Sequence, residues 1–488
     1  MVRPRYVVLL ATGVVVGAAI RRRRERGGDV GPIPVTGQVE RVAGIAQHVV
    51  RVGGGTALHQ ARRVFVDAER RDAYDAEHQL QTVEQVAVVL GDLKGALMKL
   101  GQMASFLDPE MAPEYRHLLA RLQHDVPPMA PELAAGVVAE ELGARPEVVF
   151  AEWDAVPIAA ASIGQVHRAM THDGRAVAVK VQYPGVDDAI RSDLNAAGIL
   201  FRSAQRLFPG VDAKRMVGEI RERIIEELDY RLEADNQERF ATAYADHPHI
   251  HIPRVHRDLS ARRVLTSDLV VGHRMDEAVG WSQDERDLAG ETIYRFVFSS
   301  LYRMQAFNGD PHPGNYLFHR GGRVTFLDFG MVKSFTPAQL HPFERMVRAH
   351  SFDRDLPGFR RAAEDAGFVP SGLDQSDEDI LDYLGAFFDL AGTDEPLELT
   401  PAYARSATRR LVGLEGDHPD LVAVADVPKD LVILQRIHLG VVAVLAQLHA
   451  TANWHRLSHE WWPWADGVPH TDLGRADDAW RGARAARA

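Results

Sequence analysis

The chain has 488 residues, with 56 Lys and Arg against 68 Asp and Glu, a formal charge of −12. That length suits two or three structural units, and 46% hydrophobic with 25% charged residues excludes general disorder. The absence of cysteine excludes disulfide frameworks, thiolate zinc sites, iron–sulfur clusters and cysteine nucleophiles, and the acidic body argues against a nucleic-acid partner.

The charge is unevenly placed. Within residues 1–30, seven arginines (Arg3, Arg5, Arg21 to Arg24, Arg26) against Glu25 and Asp29 leave +5, so the remainder carries −17. Between the basic flanks, Tyr6–Ile20 is an uncharged run of 15 residues. As a helix it covers roughly 22 Å, short of a ~30 Å hydrocarbon core unless the bilayer thins and arginines snorkel. A signal peptide has the same lead-in, but four arginines directly after the apolar run oppose export of the body of the chain. The expectation is a single uncleaved N-terminal anchor with the body on the cytoplasmic face of a membrane. Gly13 and Gly17 form a GxxxG, a weak pointer to a homodimer.

Further along, residues 27–56 read as a Gly/Val/Pro-rich linker and Leu58–Leu122 as helical. Pro131–Leu142 has the limits of one helix, closed by Gly143. Strands are expected at Val148–Phe150, Ala161–Ala169 and Ala176–Val181, the last (AVAVKV) buried on both faces. Residues 213–245 carry the stripe of one long amphipathic helix. Short strands come next at Ile250–Val255 and Val264–Leu269, then a helix from Asp284 to Phe307. Beyond residue 337 the chain reads as helical, apart from a Pro/Asp/Glu-rich loop near 391–401. A small strand-rich unit followed by a large helical one is the order of an α+β fold with two lobes.

The chemistry concentrates in Asp310–Asn315, DPHPGN, and in Asp328-Phe329-Gly330 after a short hairpin (Tyr316–Phe318, Val324–Leu327). Oxygen donors from Asn315 and Asp328 suit Mg²⁺, which takes few protein carboxylates and borrows phosphate oxygens. Asp310 then stands where an attacking hydroxyl or water is positioned. Upstream, Ala159–Val166 reads AAASIGQV, a strand–turn–strand in the place of a glycine-rich loop. Lys180 in VAVK comes next, with an ammonium suited to the α/β-phosphates of ATP or ADP. Glu233 on the long helix is the carboxylate expected to orient that lysine.

These residues resemble the UbiB/AarF/ADCK family of atypical protein-kinase-like proteins, over roughly residues 85–340. Lys99-Leu100-Gly101-Gln102 matches the family's KxGQ motif, and Glu227-Leu228-Asp229 its ExD motif. Ala159, Ala160, Ala161 and Ser162 match the alanine-rich replacement of the loop glycines, with Gly164 and Val166 after them. The resemblance implies a bilobal protein-kinase-like fold, with a β-rich N-lobe, a helical C-lobe and an added N-terminal helical extension. Its boundaries are an anchor at 1–30, the linker and KxGQ extension at 31–130, the N-lobe at 131–270 and the C-lobe at 271–488. It further implies Mg-dependent ATPase or phosphotransferase chemistry in isoprenoid quinone or lipid metabolism. Membrane lipids, quinone intermediates or quinone-biosynthesis proteins would be the partners, and a silent pseudokinase scaffold is the alternative. Lys99 is expected to meet Glu227 over the substrate cleft, as a plug or as a helical cap. Glu227 and Glu233, six residues apart, would stand about 120° apart on one helix. The pair before Asp310 is Asn308-Gly309, where the family commonly has His-Ala.

Three further features carry a structural reading beside a functional one. The alternating His247, His249 and His251 would share a strand face, as a metal site or, far more commonly, a polar edge. Trp461, Trp462 and Trp464 suit a membrane interface or partner surface as well as a cap on the helical lobe. Arg481, Arg484 and Arg487 read as a frayed tail, with contact to acidic lipid the lesser reading.

Overall fold

The computed structural model describes residues 129–161, 163–187, 228–309, 311–385, 388–411, 421, 429–462, 464–465 and 467–487. Tyr6–Ile20, Lys99, Gln102, Ser162, Glu227 and Asp310 lie outside the described residues. The described residues fall into two compact units, one of 129–187, 228–232 and Val255–Leu269, the other of Glu233–Arg254 and residues from Val270 on.

The strands are β1 (Glu152–Trp153), β2 (Ala159–Ala160), β3 (Gly164–Met170), β4 (Ala176–Gln182), β5 (Ile250–His251), β6 (Val264–Asp268), β7 (Ala306–Asn308), β8 (Tyr316–Phe318), β9 (Val324–Phe326), β10 (Val332–Ser334), β11 (Leu397–Glu398) and β12 (Thr451–Ala452). The helices are α1 (Pro131–Leu142), α2 (Pro146–Val149), α3 (Tyr230–Ala243), α4 (Met275–Ala278), α5 (Gln283–Met304), α6 (Pro337–Arg348), α7 (Leu356–Asp365), α8 (Asp377–Gly385), α9 (Asp389–Gly392), α10 (Pro401–Leu411), α11 (Lys429–Leu448), α12 (Trp454–His459) and α13 (Asp472–Ala485).

In the first unit, α1 opens on Pro131 and ends at Gly143, whose φ of 81° no β-carbon-bearing residue adopts cheaply. Ala134, Val137 and Val138 of α1 share a core with Val177, Val179 and Val181 of β4. The sheet runs β1-β3-β4-β6 antiparallel, with β2 also pairing β3. Burial along β4 alternates: its three valines are fully buried while Ala176, Ala178 and Lys180 are only partly so. The expected burial on both faces is therefore replaced by a single buried face, and Lys180 stands on the other. Where a strand was expected at Val148–Phe150, α2 forms instead, because Pro146 and Glu147 start a helical turn.

The helix expected over 213–245 is not continuous. Leu228 lies in a turn and Asp229 outside any helix, and α3 starts at Tyr230. The Asp229 side chain accepts the Arg231 backbone N–H (3.1 Å), the local competition that makes aspartate a helix-starter. Angles on one helical wheel therefore do not relate Glu227 to Glu233.

In the second unit, α5 is buried along most of its length and ends at Gln305 in the left-handed region (φ 52°). The chain then enters β7, paired with β10, so the helix stops short of the expected Phe307. A second sheet runs β5-β9-β8, with β8 antiparallel and β5 parallel to β9. On α11 the residues Leu434, Ile437, Val441, Val444, Leu445 and Leu448 are buried as their spacing requires. Trp461 and Trp462 are buried in the same core. Within the 391–401 stretch, β11 pairs with β12.

The histidine run and the arginines of α13 find specific partners. His247 accepts the backbone N–H groups of His249 and Ile250 on Nδ1 (3.1 and 2.9 Å). Its proton therefore sits on Nε2, facing Asp477 of α13 at 3.1 Å. Among the described residues no group of three or more His, Cys, Asp or Glu is arranged to hold a metal ion. Arg481 pairs with Asp477 and Asp478, and Arg484 donates to the Thr242 carbonyl (2.7 Å), so the expected frayed tail is an anchored helix.

Candidate functional site

In the first unit, β2 and β3 make the hairpin that stands for a glycine-rich loop. Ala159 pairs with Val166 and Ala160 with Gln165, and the Ala161 N–H closes on the Gly164 carbonyl at 2.9 Å. A β-carbon on Gly164 would collide with the Val181 carbonyl, so close strand approach alone demands glycine here. In the same register Val166 faces Lys180, and Lys180 faces Leu265. The Lys180 Nζ lies 4.9 Å from the Tyr230 ring centroid, a cation–π arrangement that steadies a cation on the partly open face of β4. Asp229 is held bidentately by Arg231 (2.9 and 2.6 Å), and those bonds keep its carboxyl below the usual carboxylate range.

In the second unit, the acids and amides converge on one end of the β8–β9 hairpin. Pro313–Asn315 forms a 3₁₀ turn directly before β8, with His312 Nδ1 accepting the Gly314 N–H at 3.0 Å. Asp328 lies two residues beyond β9. The Leu327 N–H donates to the Asn315 carbonyl at 3.0 Å, so the Asn315 and Asp328 segments leave the hairpin side by side. Glu233, in the first turn of α3, is 5% exposed. A β-carbon on Gly330 would lie 3.2 Å from Asp328 Oδ1 and 3.7 Å from Glu233 Oε2, which puts both carboxylates beside this glycine. Phe329 is fully buried, with its ring 5.2 Å from that of Phe240 on α3. Two residues given no site role by the sequence also act here. Asn308 donates its side-chain amide to the Asp328 carbonyl, and Asn236 donates to the Phe329 carbonyl at 3.1 Å. Asn236 stands three positions after Glu233, the helical spacing that could have flagged it.

Asn315 and Asp328 are hard oxygen donors that favour a cation such as Mg²⁺ over a soft metal, so the donor chemistry fits. Of the expected residues, Glu233, Asn315 and Asp328 belong to the second unit. Ala159, Ala160, Ala161, Gly164, Val166, Lys180 and Asp229 belong to the first.

A family profile described as the ABC1 atypical kinase-like domain matches residues 121–360. Among solved structures, the Mycobacterium tuberculosis protein Rv3197, determined as a complex with erythromycin, is 32% identical, with a TM-score of 0.59 over 82% of this chain and 100% of that one. The chain belongs to the UbiB/ABC1 family of atypical kinase-like proteins. Its fold is accordingly kinase-like, of mixed helix and sheet. Among curated UbiB/ABC1 relatives, the atypical kinase COQ8B, mitochondrial, of Rattus norvegicus is 29% identical over 75% of this chain and 69% of its own length. The atypical kinase COQ8, mitochondrial, of Saccharomyces cerevisiae is 28% identical over 61% of this chain and 60% of its own. An Arabidopsis thaliana chloroplastic protein, ACTIVITY OF BC1 COMPLEX KINASE 1, is 36% identical over 51% of this chain and 37% of its own.

One expectation is corrected. The sequence suggested a single N-terminal anchor with the body on the cytoplasmic face of a membrane. Tyr6–Ile20 lies outside the described residues, and among those no helix is long and apolar enough to cross a membrane. The rat and yeast members of the family are named as mitochondrial proteins.

Proposed function

We propose that the protein binds Mg²⁺ with ATP or ADP and turns it over slowly, as an atypical phosphotransferase or ATPase serving isoprenoid quinone or lipid metabolism. The observation that supports this most directly is the side-by-side exit of the Asn315 and Asp328 segments from one hairpin, with Glu233 beside Gly330. Asn315 and Asp328 would hold Mg²⁺, which when bound supplies neutralisation of phosphate charge. Lys180, a fixed cation on β4, is assigned to the α/β-phosphates, and Asp310 to positioning the acceptor hydroxyl or water. The alanines of the β2–β3 hairpin carry no glycine freedom, so the backbone there approaches phosphate less closely, which favours slow turnover. Lys99, Gln102, Glu227 and Asp229 are assigned, by family motif, to the segment that covers the acceptor side. The family supplies the link to quinones; a lipid-borne quinone precursor is the acceptor we favour over a peptide.

Phosphate release measured with and without Mg²⁺, on wild type and Asp328→Asn, tests this reading. Loss of the metal ligand should lower the rate by at least tenfold, the scale of removing a group that stabilises transition-state charge. Equal rates in both proteins would refute the assignment and leave a nucleotide-binding scaffold without chemistry as the better description.

A further inference from the structure

Both carbonyls of the Asp328-Phe329 pair are held by side-chain amides from two different earlier segments of the chain. Asn308, at the end of β7 and 6% exposed, donates to the Asp328 carbonyl. Asn236, on α3, donates to the Phe329 carbonyl across 93 residues of chain. The segment is closed further by Gly330, whose N–H meets Asp328 Oδ1 at 2.9 Å, and by the Gly309 N–H on the Met331 carbonyl at 2.6 Å. The Phe329 ring completes the attachment: it is fully buried against Phe240, four residues along α3 from Asn236. Backbone and ring are thus fixed to the same helix that carries Glu233, and to the strand that leads directly into Asp310.

We infer that Asn236 and Asn308 are positioning residues that lock the Asp328 carboxylate in one orientation. Neither acts on the substrate; each acts through a peptide carbonyl. The chemistry of the pair gives it two properties. A carboxamide donates at every pH, whereas a histidine at 308 would change charge near pH 6.5 and place a cation beside the acid below it. Asn308 therefore keeps the charge around Asp328 constant where an imidazole would not. Asn236 and Glu233 also share one face of α3, so a shift of that helix moves the acid and the clamp together. Asp328 is consequently set by the position of α3 as well as by its own hairpin.

The functional consequence rests on the nucleotide reading above, so the test carries one arm that needs no nucleotide. The variants are Asn308→Asp and Asn236→Asp, nearly isosteric but without the donor, and Asn308→His, which restores a donor. In the full chain without ligand, hydrogen exchange at Gly330 and Gly309 should quicken by about tenfold in both aspartate variants, the scale of one broken buried bond. It should return toward wild type in Asn308→His. With a fluorescent ADP analogue, the Mg²⁺ concentration for half-maximal binding should rise by about tenfold, while metal-free nucleotide affinity stays within twofold. A merely structural role would weaken both bindings together. Unchanged exchange at both glycines, or equal losses with and without Mg²⁺, would overturn the clamp. If wild type shows no Mg²⁺-dependent binding, the nucleotide reading falls, and the exchange arm still decides whether the two asparagines hold the segment.

Discussion

Replacing Asp477 by alanine should loosen α13 from the second unit, and the structure sets the size of the effect. The carboxylate is 7% exposed at its side chain and meets His247 at 3.1 Å, Arg481 at 3.2 Å and Arg303 at 3.4 Å. The arginines keep 32% and 27% of their side-chain surface in water, so each pair adds about 0–1 kcal/mol. His247 differs, being 2% exposed with its Nε2 proton aimed at the acid, and leaving that donor unmet costs about 1–3 kcal/mol. The expected loss is about 2–4 kcal/mol for Asp477→Ala and roughly 1 kcal/mol less for Asp477→Asn, which retains an acceptor for His247. Burial alone would raise the Asp477 carboxyl, but the His247 bond and the charges of Arg303 and Arg481 outweigh it and hold the group well below the usual carboxylate range. A depressed carboxyl stabilises the folded state above its unfolded value and loses that contribution as pH falls toward the folded one. The gap between wild type and Asp477→Ala should thus be full at pH 7 and shrink below about pH 4. Urea unfolding followed by circular dichroism, with exchange rates across 472–485, provides both readings. Equal stability of wild type and both variants at pH 7, or a gap that does not close in acid, would refute the reasoning.

A second prediction also concerns pH, in a different window. Burial pushes His438 down to about 4, and burial followed by the charge of Arg354 does the same to His350. The unfolded chain takes up those protons near pH 6.5, so second-unit stability should fall as pH drops from about 6.5 to 4, and His438→Leu should flatten that slope in urea midpoints taken across the range. An unaltered slope in that variant would remove His438 from the account. A third prediction separates packing from ligand contact at Gly164. Gly164→Ala should destabilise the first unit by about 1–3 kcal/mol in thermal melts, because its β-carbon meets the Val181 carbonyl. An intact melt with weakened nucleotide affinity would show instead that the glycine is kept for the ligand.

What the sequence disclosed was what local chemistry dictates. Pro131 and Gly143 bracket α1 because one fits the first helical turn and the other a positive φ. Asn315 and Asp328 were legible because a short hairpin joins them, so sequence spacing is nearly spatial spacing. The start of α2 was missed because a short apolar run reads equally as strand or helix. The end of α5 was missed because its left-handed residue is Gln305, which punctuates no pattern. Asn236 and Asn308 reach carbonyls 93 and 20 residues away, so the bonds themselves left no local mark, and only the spacing of Asn236 from Glu233 pointed toward the site. Arg484 looked like part of a tail for the same reason, since its acceptor, the Thr242 carbonyl, lies 242 residues away, whereas Arg481 pairs locally with Asp477 and Asp478.

The attachment of α13 also bears on the order in which the molecule is made. The Trp480 indole donates to the Ala245 carbonyl and Arg484 to that of Thr242, partners separated by 235 and 242 residues. Helix α3, which bears Glu233 and Asn236, emerges early from the ribosome, yet the contacts that secure its far end arrive only when α13 has been synthesised. At ~5–20 residues per second, that interval lasts from about ten seconds to most of a minute. During it the nascent second unit carries Tyr244 and His247 without the Trp480 ring that later packs on both. A chaperone that shields that surface during translation would act on the same helix that later orients the acids of the site.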